Sequence, residues 1–160
     1  MHKRITLALA ALTLSTFGLT TGARAQSQLG VGIGYDVDVE AAFAGAHFRF
    51  APASLPFQIS PGFDYYFVDG VTALQFDINA LYDIGVDNQA FTPYVGAGLG
   101  IGYVEAEGLG DNDSNTDTGL NLIFGAKFGF NSLQPYVQAK GTLGGGITGV
   151  GVSGGVLFSF

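Results

Sequence analysis

The chain has 160 residues, including 26 glycines, 14 phenylalanines and 7 tyrosines, and it contains neither cysteine nor tryptophan. Charged residues make up 12% of the chain and the formal net charge is −7. This composition is too apolar for a disordered chain and too poor in lysine and arginine for a nucleic-acid-binding surface. The absence of cysteine excludes a disulfide framework. Because glycine interrupts every candidate helix beyond the N-terminal segment, the sequence favours an all-β domain.

Residues 1–25 have the order of a secretory signal peptide. A basic start at residues 2–4 precedes a mostly apolar stretch at 5–19, and residues 23–25 (Ala-Arg-Ala) form a small-x-small cleavage site. The apolar stretch is too short and too rich in threonine for a membrane-spanning helix, which needs about 20 apolar residues. We therefore predict cleavage after Ala25, which leaves residues 26–160 as a single exported domain.

The exported part alternates between apolar and small or polar residues with a period of two. In residues 29–38, Leu, Val, Ile, Tyr and Val alternate with Gly, Gly, Gly, Asp and Asp, which is the pattern of a strand with two different faces. The same pattern predicts eight strands, at residues 29–38, 41–50, 57–67, 74–84, 91–104, 118–130, 133–143 and 148–160. The apolar residues that interrupt the alternation are Phe43, Leu81, Val104, Ile123 and Leu157.

The length of these strands indicates a membrane-spanning barrel. They have about 10 to 13 residues, whereas strands of globular proteins usually have roughly 5 to 6. Crossing a bilayer takes about 9 to 11 tilted residues, and only a closed barrel leaves no unpaired strand edge in lipid. We therefore predict an all-β fold, an eight-stranded antiparallel up-and-down transmembrane β-barrel at residues 26–160. The alternative is a soluble, lipocalin-like barrel, whose apolar interior would have to hold more than a dozen aromatic rings.

Prolines mark the starts of alternate predicted strands. Pro56, Pro93 and Pro135 each precede or open a strand, where the missing backbone donor is tolerated. Because the number of strands is even, both termini lie on the same side of the membrane. With the N-terminus in the periplasm, these prolines lie at the periplasmic end of the barrel. The longest predicted connection, residues 105–117, then lies outside the cell, as in other transmembrane barrels.

Two segments resemble a known family. They are residues 93–100 (Pro-Tyr-Val-Gly-Ala-Gly-Leu-Gly) and the C-terminal Phe158-Ser159-Phe160, and they resemble the small outer-membrane β-barrel family of the OmpA-barrel, OmpX and porin-like type. In that family a terminal aromatic residue is part of the signal read by the barrel assembly machinery. The resemblance implies this role for Phe158 and Phe160. It also implies a monomer surrounded by lipid in an outer membrane of the Gram-negative type.

The basic residues of the exported part and five of its aspartates fall on the predicted inward faces. The basic residues are Arg49, Lys127 and Lys140. Five aspartates also occupy inward positions of the alternation, namely Asp36, Asp38, Asp64, Asp77 and Asp83. Because buried charges need partners, we predict a lumen ion-pair network of His47, Arg49, Asp64, Asp77, Asp83, Lys127 and Lys140. The alternative is a conduit that prefers cations, since the aspartates outnumber the basic residues.

Glycine leaves two bare stripes on the predicted inner wall. One follows the first and last strands, through Gly30, Gly32, Gly34, Gly149, Gly151 and Gly155; the other follows the fifth strand, through Gly96, Gly98, Gly100 and Gly102. Either rows of water molecules run along these stripes, or large inward side chains cover them. An eight-stranded barrel is only wide enough inside for its own side chains, so we expect the stripes to be covered.

Two features of the sequence are candidates for a chemical site. His47 is the single histidine after residue 25, and no serine in a nucleophile-elbow setting accompanies it, so we expect a lumen histidine bonded to a carboxylate. The segment 111–117 places oxygens of Asp111, Asp113, Asn115 and Asp117 at the spacing of a calcium loop. It lacks that loop's later glycine and glutamate, since Thr116 and Leu122 stand there, so it predicts at most weak calcium binding.

These observations lead to a function without catalysis, cofactor or resident metal. We expect an outer-membrane barrel with a structural role in envelope integrity, or with a surface interaction through residues 105–117. The alternatives are a narrow, porin-like channel for small solutes or cations, and a lipid-modifying enzyme based on His47.

Overall fold

The computed structural model describes residues 27–87, 90–106, 114–129 and 132–160, and these form one closed sheet. Its strands are β1 (Ser27–Asp36), β2 (Ala41–Phe50), β3 (Gln58–Val68), β4 (Val71–Asp83), β5 (Phe91–Ala106), β6 (Ser114–Phe128), β7 (Leu133–Leu143) and β8 (Gly149–Ser159). Each strand pairs antiparallel with the next, and β1 pairs with β8. The predicted eight-stranded antiparallel barrel is confirmed, while the predicted signal peptide lies outside the described residues. Within those residues, no helix has the length and apolar character needed to cross a membrane.

The barrel has two distinct ends. The terminal end carries Ser27 and Phe160, and Phe160 N–H donates to the Ser27 carbonyl at 3.2 Å. The distal end carries the turns at residues 37–40, 69–70 and 144–148. The terminal end and the distal end are the two mouths of the barrel.

The first strand ends two residues earlier than the alternation predicts. The Asp36 carboxylate accepts hydrogen bonds from the backbone N–H groups of Asp38 and Val39, each at 3.0 Å. This side-chain turn diverts the backbone out of the ladder. Glu40 then adopts a left-handed backbone conformation with φ of 54°, which completes the reversal into β2.

The fifth and sixth strands extend further toward the distal end than predicted. Glu105 pairs with Ser114 in the ladder, so Asn115 and Asp117 lie on β6 and not in a loop. Asn115 Nδ2 donates to the Asp117 carboxylate at 2.6 Å. The alternate threonines 116 and 118 favour strand geometry here. Asp111 and Asp113, the other members of the weak calcium candidate, lie outside the described residues.

The outer wall of the barrel is apolar. Ile33, Phe67, Leu120, Phe124 and Val152 are all more than half exposed, which in a soluble domain would make the surface prone to aggregation. Neighbouring rings cluster near the ends, with Phe48–Phe50 and Phe91–Phe128 at the terminal end and Tyr65–Phe67 at the distal end. An apolar band between two aromatic girdles is the surface of a transmembrane barrel, and the lipocalin-like alternative is wrong.

Large side chains cover both glycine stripes. On β1, His47 lies over Gly30, Tyr136 over Gly32 and Phe43 over Gly34. On β5, Leu81 lies over Gly96, Asn79 over Gly98 and Ile147 over Gly102. At each of these glycines a Cβ atom would come closer than 3.0 Å to the covering side chain. At these six positions the stripes therefore admit bulky lumen side chains.

We predict that deleting Phe160 lowers the fraction of chain that folds. Its ring lies 6.1 Å from the Phe48 ring, and its N–H reaches β1, so the residue fastens the seam at which the barrel closes. The measurement is gel mobility with and without heating after refolding into lipid vesicles. Phe128→Ala, which removes a ring from the same end but away from the seam, is the control. Equal folding of the deletion and the unaltered chain would contradict this assignment.

Candidate functional site in the barrel lumen

A central ion cluster crosses the lumen. Lys140 Nζ on β7 lies 2.5 Å from Asp64 Oδ2 on β3 and 2.7 Å from Asp77 Oδ2 on β4. The three side chains are 8%, 16% and 7% exposed, respectively. β7 and β3 lie on opposite sides of an eight-stranded barrel, so the cluster ties opposite walls together. Burial of these charges is tolerable because each has an opposite charge in contact.

Amide and hydroxyl groups complete the hydrogen bonding of the cluster. Asp77 Oδ1 accepts from Gln75 at 2.9 Å and from Asn121 at 2.8 Å. Thr142 in turn donates to Asn121 Oδ1 at 2.9 Å, and Tyr66 donates to Gln75 at 3.2 Å. Fully bonded buried networks are rigid. The sequence analysis did not include these four residues in the site. Their positions in the alternation place all four side chains on the inner face of the barrel, and this could have identified them.

Arg49 forms an arginine layer with Tyr94 and Tyr136, nearer the terminal end. It is 1% exposed, and its Nη2 donates to the Tyr94 hydroxyl at 3.1 Å. The guanidinium carbon lies 4.6 Å from the centre of the Tyr94 ring and 5.4 Å from that of Tyr136. Across the described ranges no carboxylate forms an ion pair with Arg49, which corrects the prediction. Lys140 occupies both central carboxylates, and the tyrosine rings stabilise the guanidinium by cation–π contact.

His47 also differs from the prediction. Its Nε2 has no hydrogen-bond partner among the described residues, so the expected bond to a carboxylate is not formed. The ring meets Tyr136 edge-on, with 5.3 Å between ring centres, and packs over Gly30. The structure therefore gives His47 a packing role against β1 and the arginine layer. Ser60 and Asp64 line the same small cavity, and neither is hydrogen-bonded to Nε2.

A second ion pair lies toward the terminal end. Lys127 Nζ is 2.6 Å from Asp83 Oδ2, and Gln58 Nε2 donates to the same oxygen at 2.9 Å. Beside it, Gln28 Nε2 donates to Gln134 at 2.8 Å and to a serine hydroxyl at 3.0 Å. Polar side chains thus connect neighbouring and next-neighbouring strands at this end of the lumen.

Apolar side chains pack between the polar layers. Leu81, Tyr94 and Ile123 form one buried cluster, and Phe43 and Tyr66 belong to another, nearer the distal end. Small cavities lie beside these layers of described residues, among them one of about 30 Å³ beside His47 and Arg49 and one of about 110 Å³ at the distal end. Since a water molecule takes about 30 Å³ of liquid, each has room for a few waters at most. The central ion cluster and its amide network lie between the two cavities.

We predict that Lys140→Met destabilises the barrel by about 3 to 5 kcal/mol, because it leaves two buried carboxylates without a cation. Lys127→Met should cost less, since its single partner, Asp83, is 33% exposed. The measurement is equilibrium urea unfolding in lipid vesicles. Adding Asp64→Asn and Asp77→Asn to Lys140→Met should recover most of the loss. Equal effects of the two lysine substitutions would contradict the central position of Lys140.

Solved structures with this fold are outer-membrane barrels. The N-terminal β-barrel domain of Pseudomonas aeruginosa OprF has a TM-score of 0.72 and 18% identity over 84% of this chain and 97% of that one. Neisserial surface protein A has a TM-score of 0.65 and 13% identity over 85% and 96%. The outer membrane enzyme PagL has a TM-score of 0.50 and 15% identity over 83% and 98%. At these identities the likeness shows the fold alone.

The comparison with sequence families identifies the chain more directly. No curated protein sequence matches it. The profile of the outer membrane protein beta-barrel domain matches residues 5–152, which is most of the chain, and the apolar wall and aromatic girdles described above agree with it. The chain therefore belongs to the outer membrane protein beta-barrel domain family and is an eight-stranded barrel of the outer membrane.

Proposed function

We propose that this barrel is a non-enzymatic structural protein that supports the integrity of the outer membrane. The observation that carries the proposal is the central ion cluster, in which Lys140 connects β7 to Asp64 and Asp77 across the lumen. A lumen tied across its width favours a rigid wall element over a transport path. With the lumen filled, the lipid-facing wall and the distal turns are left to make contacts with the envelope.

The surroundings of His47 support the non-enzymatic part of this proposal. One structural relative is described as an enzyme, so the fold by itself does not separate the two classes. In this chain the histidine faces inward and packs on Tyr136, away from the lipid on which a lipid-modifying enzyme would act. General acid–base chemistry would require a hydrogen-bonded reacting group at that imidazole.

The same proposal includes the processing and surroundings of the chain. The signal peptide is removed after Ala25, and the barrel assembly machinery reads the C-terminal strand through Phe158 and Phe160. The folded barrel then lies as a monomer in outer-membrane lipid, with its distal end outside the cell. Alternating apolar residues in β8 and the seam contacts of Phe160 support this arrangement.

The test is a strain that lacks the gene for this protein. We expect greater sensitivity to detergent and faster uptake of a hydrophobic dye, because a wall element of the outer membrane is missing. Complementation with the unaltered chain should restore resistance, and so should His47→Ala. If His47→Ala folds and reaches the membrane but fails to restore resistance, the result supports a lipid-modifying enzyme and contradicts the structural role.

A narrow cation leak is the second candidate. The two cavities favour it, as does the set of acidic side chains at the distal end, which includes Asp38, Glu40, Asp69 and Glu105. Carboxylates lining a path select cations. In planar-bilayer recording we expect the unaltered barrel to be silent. A small cation-selective current that rises in Lys140→Ala would select the leak and contradict the closed barrel.

A further inference from the structure

The distal cavity combines apolar walls with one buried carboxylate. Its volume is about 110 Å³, and the apolar residues that line it include Val39, Ala73, Val104 and Ile147. Asp36 lines the same cavity and is only 6% exposed. On its inner side the cavity borders the amide network of the central ion cluster, since Tyr66, Gln75 and Thr142 also line it.

Asp36 presents one carboxylate oxygen to this cavity in a fixed position. Its Oδ1 accepts the N–H groups of Asp38 and Val39, each at 3.0 Å, which holds the side chain in place. Within the described ranges, no donor is hydrogen-bonded to Oδ2. That oxygen lies 3.0 Å from the position of a Cβ at Gly149, which also lines the cavity. A carboxylate oxygen with remaining acceptor capacity therefore borders a mostly apolar space.

No side chain of this barrel provides the missing cation. After residue 25 the basic residues are Arg49, Lys127 and Lys140. Lys140 is held by two carboxylates in the central cluster, and the other two lie nearer the terminal end. The turns around the cavity carry further acids, Asp38 and Asp69. The summed field at this mouth attracts cations.

We propose that the distal cavity binds a primary alkylammonium group. The ammonium donates to Asp36 Oδ2 in a charge-assisted hydrogen bond, and the alkyl chain packs against Ala73, Val104 and Ile147. A divalent metal fits less well because it needs several oxygen ligands, and Asp36 is the one carboxylate that lines the cavity. With a water taking about 30 Å³, the space suits a chain of about four heavy atoms.

This inference does not depend on the envelope role. The same alkylammonium chemistry occurs in a free small amine and at the end of a lysine side chain. Both reach the cavity from the distal mouth, and the ligand arms of the experiment separate them.

The experiment follows NMR chemical shifts of the full exported chain, refolded in detergent micelles, during titration with propylammonium chloride. We expect saturable shifts at the 37–40 and 144–148 turns, with a dissociation constant of about 1 mM, within reach of so small a ligand. Asp36→Asn should weaken binding at least about fivefold by removing the charged acceptor. This variant keeps the Oδ1 acceptor for the turn. Asp69→Asn removes an acid that does not line the cavity and should bind as the unaltered chain does.

Two further arms make the outcome decisive. Ile147→Trp fills the cavity from an exposed turn and should abolish the saturable shifts while the barrel still folds. N-acetyl-lysine-methylamide is then used in place of propylammonium. It binds if the cavity accommodates a lysine side chain, and it does not bind if the cavity accepts only a free small amine. Absence of saturable shifts in the unaltered chain, equal binding by Asp36→Asn, or the same shifts with sodium chloride would each overturn the proposal.

Discussion

The structure depends on one constraint, that a charge placed inside the barrel needs a partner there, which is an opposite charge for Lys140 and two tyrosine rings for Arg49. Lys140 meets it by contacting Asp64 at 2.5 Å and Asp77 at 2.7 Å from the opposite side of the lumen. Satisfying the remaining acceptors of Asp77 orders Gln75 and Asn121, and these order Tyr66 and Thr142. Because this network reaches across the lumen, the same interaction ties β7 to β3 and β4 and fills the centre of the barrel.

Most of the fold was predictable because the membrane imposes a simple rule on each strand. Apolar residues alternate with glycine and polar residues, so the lipid-facing and inward faces follow from a period of two. The strand ends follow other rules. Asp36 ends β1 through hydrogen bonds of its own side chain, and pairing of Glu105 with Ser114 lengthens β5 and β6. The alternation of residues does not show where a side chain ends a strand or how far two paired strands continue.

The lumen was predictable in composition but not in pairing. Alternation places Arg49, Lys127 and Lys140 inside, yet which aspartate each one reaches depends on the register around the whole barrel. Arg49 consequently stacks on tyrosine rings instead of joining an ion pair. Most of the apolar residues that interrupt the alternation mark positions where the lumen is filled by apolar side chains. Phe43, Leu81, Ile123 and Leu157 are all buried inside, and the first three pack with lumen tyrosines or with each other.

The most direct test of a paired and sealed lumen is the exchange of lysine side-chain protons with water. Lys127 and Lys140 are the two lysines after residue 25, so ¹⁵N NMR of the refolded barrel distinguishes them with one substitution, Lys127→Met. We predict an ammonium signal of Lys140 that persists at neutral pH and exchanges more slowly than that of Lys127, since two carboxylates hold it away from water. Exchange of the Lys140 ammonium as fast as in an unfolded chain would contradict the account.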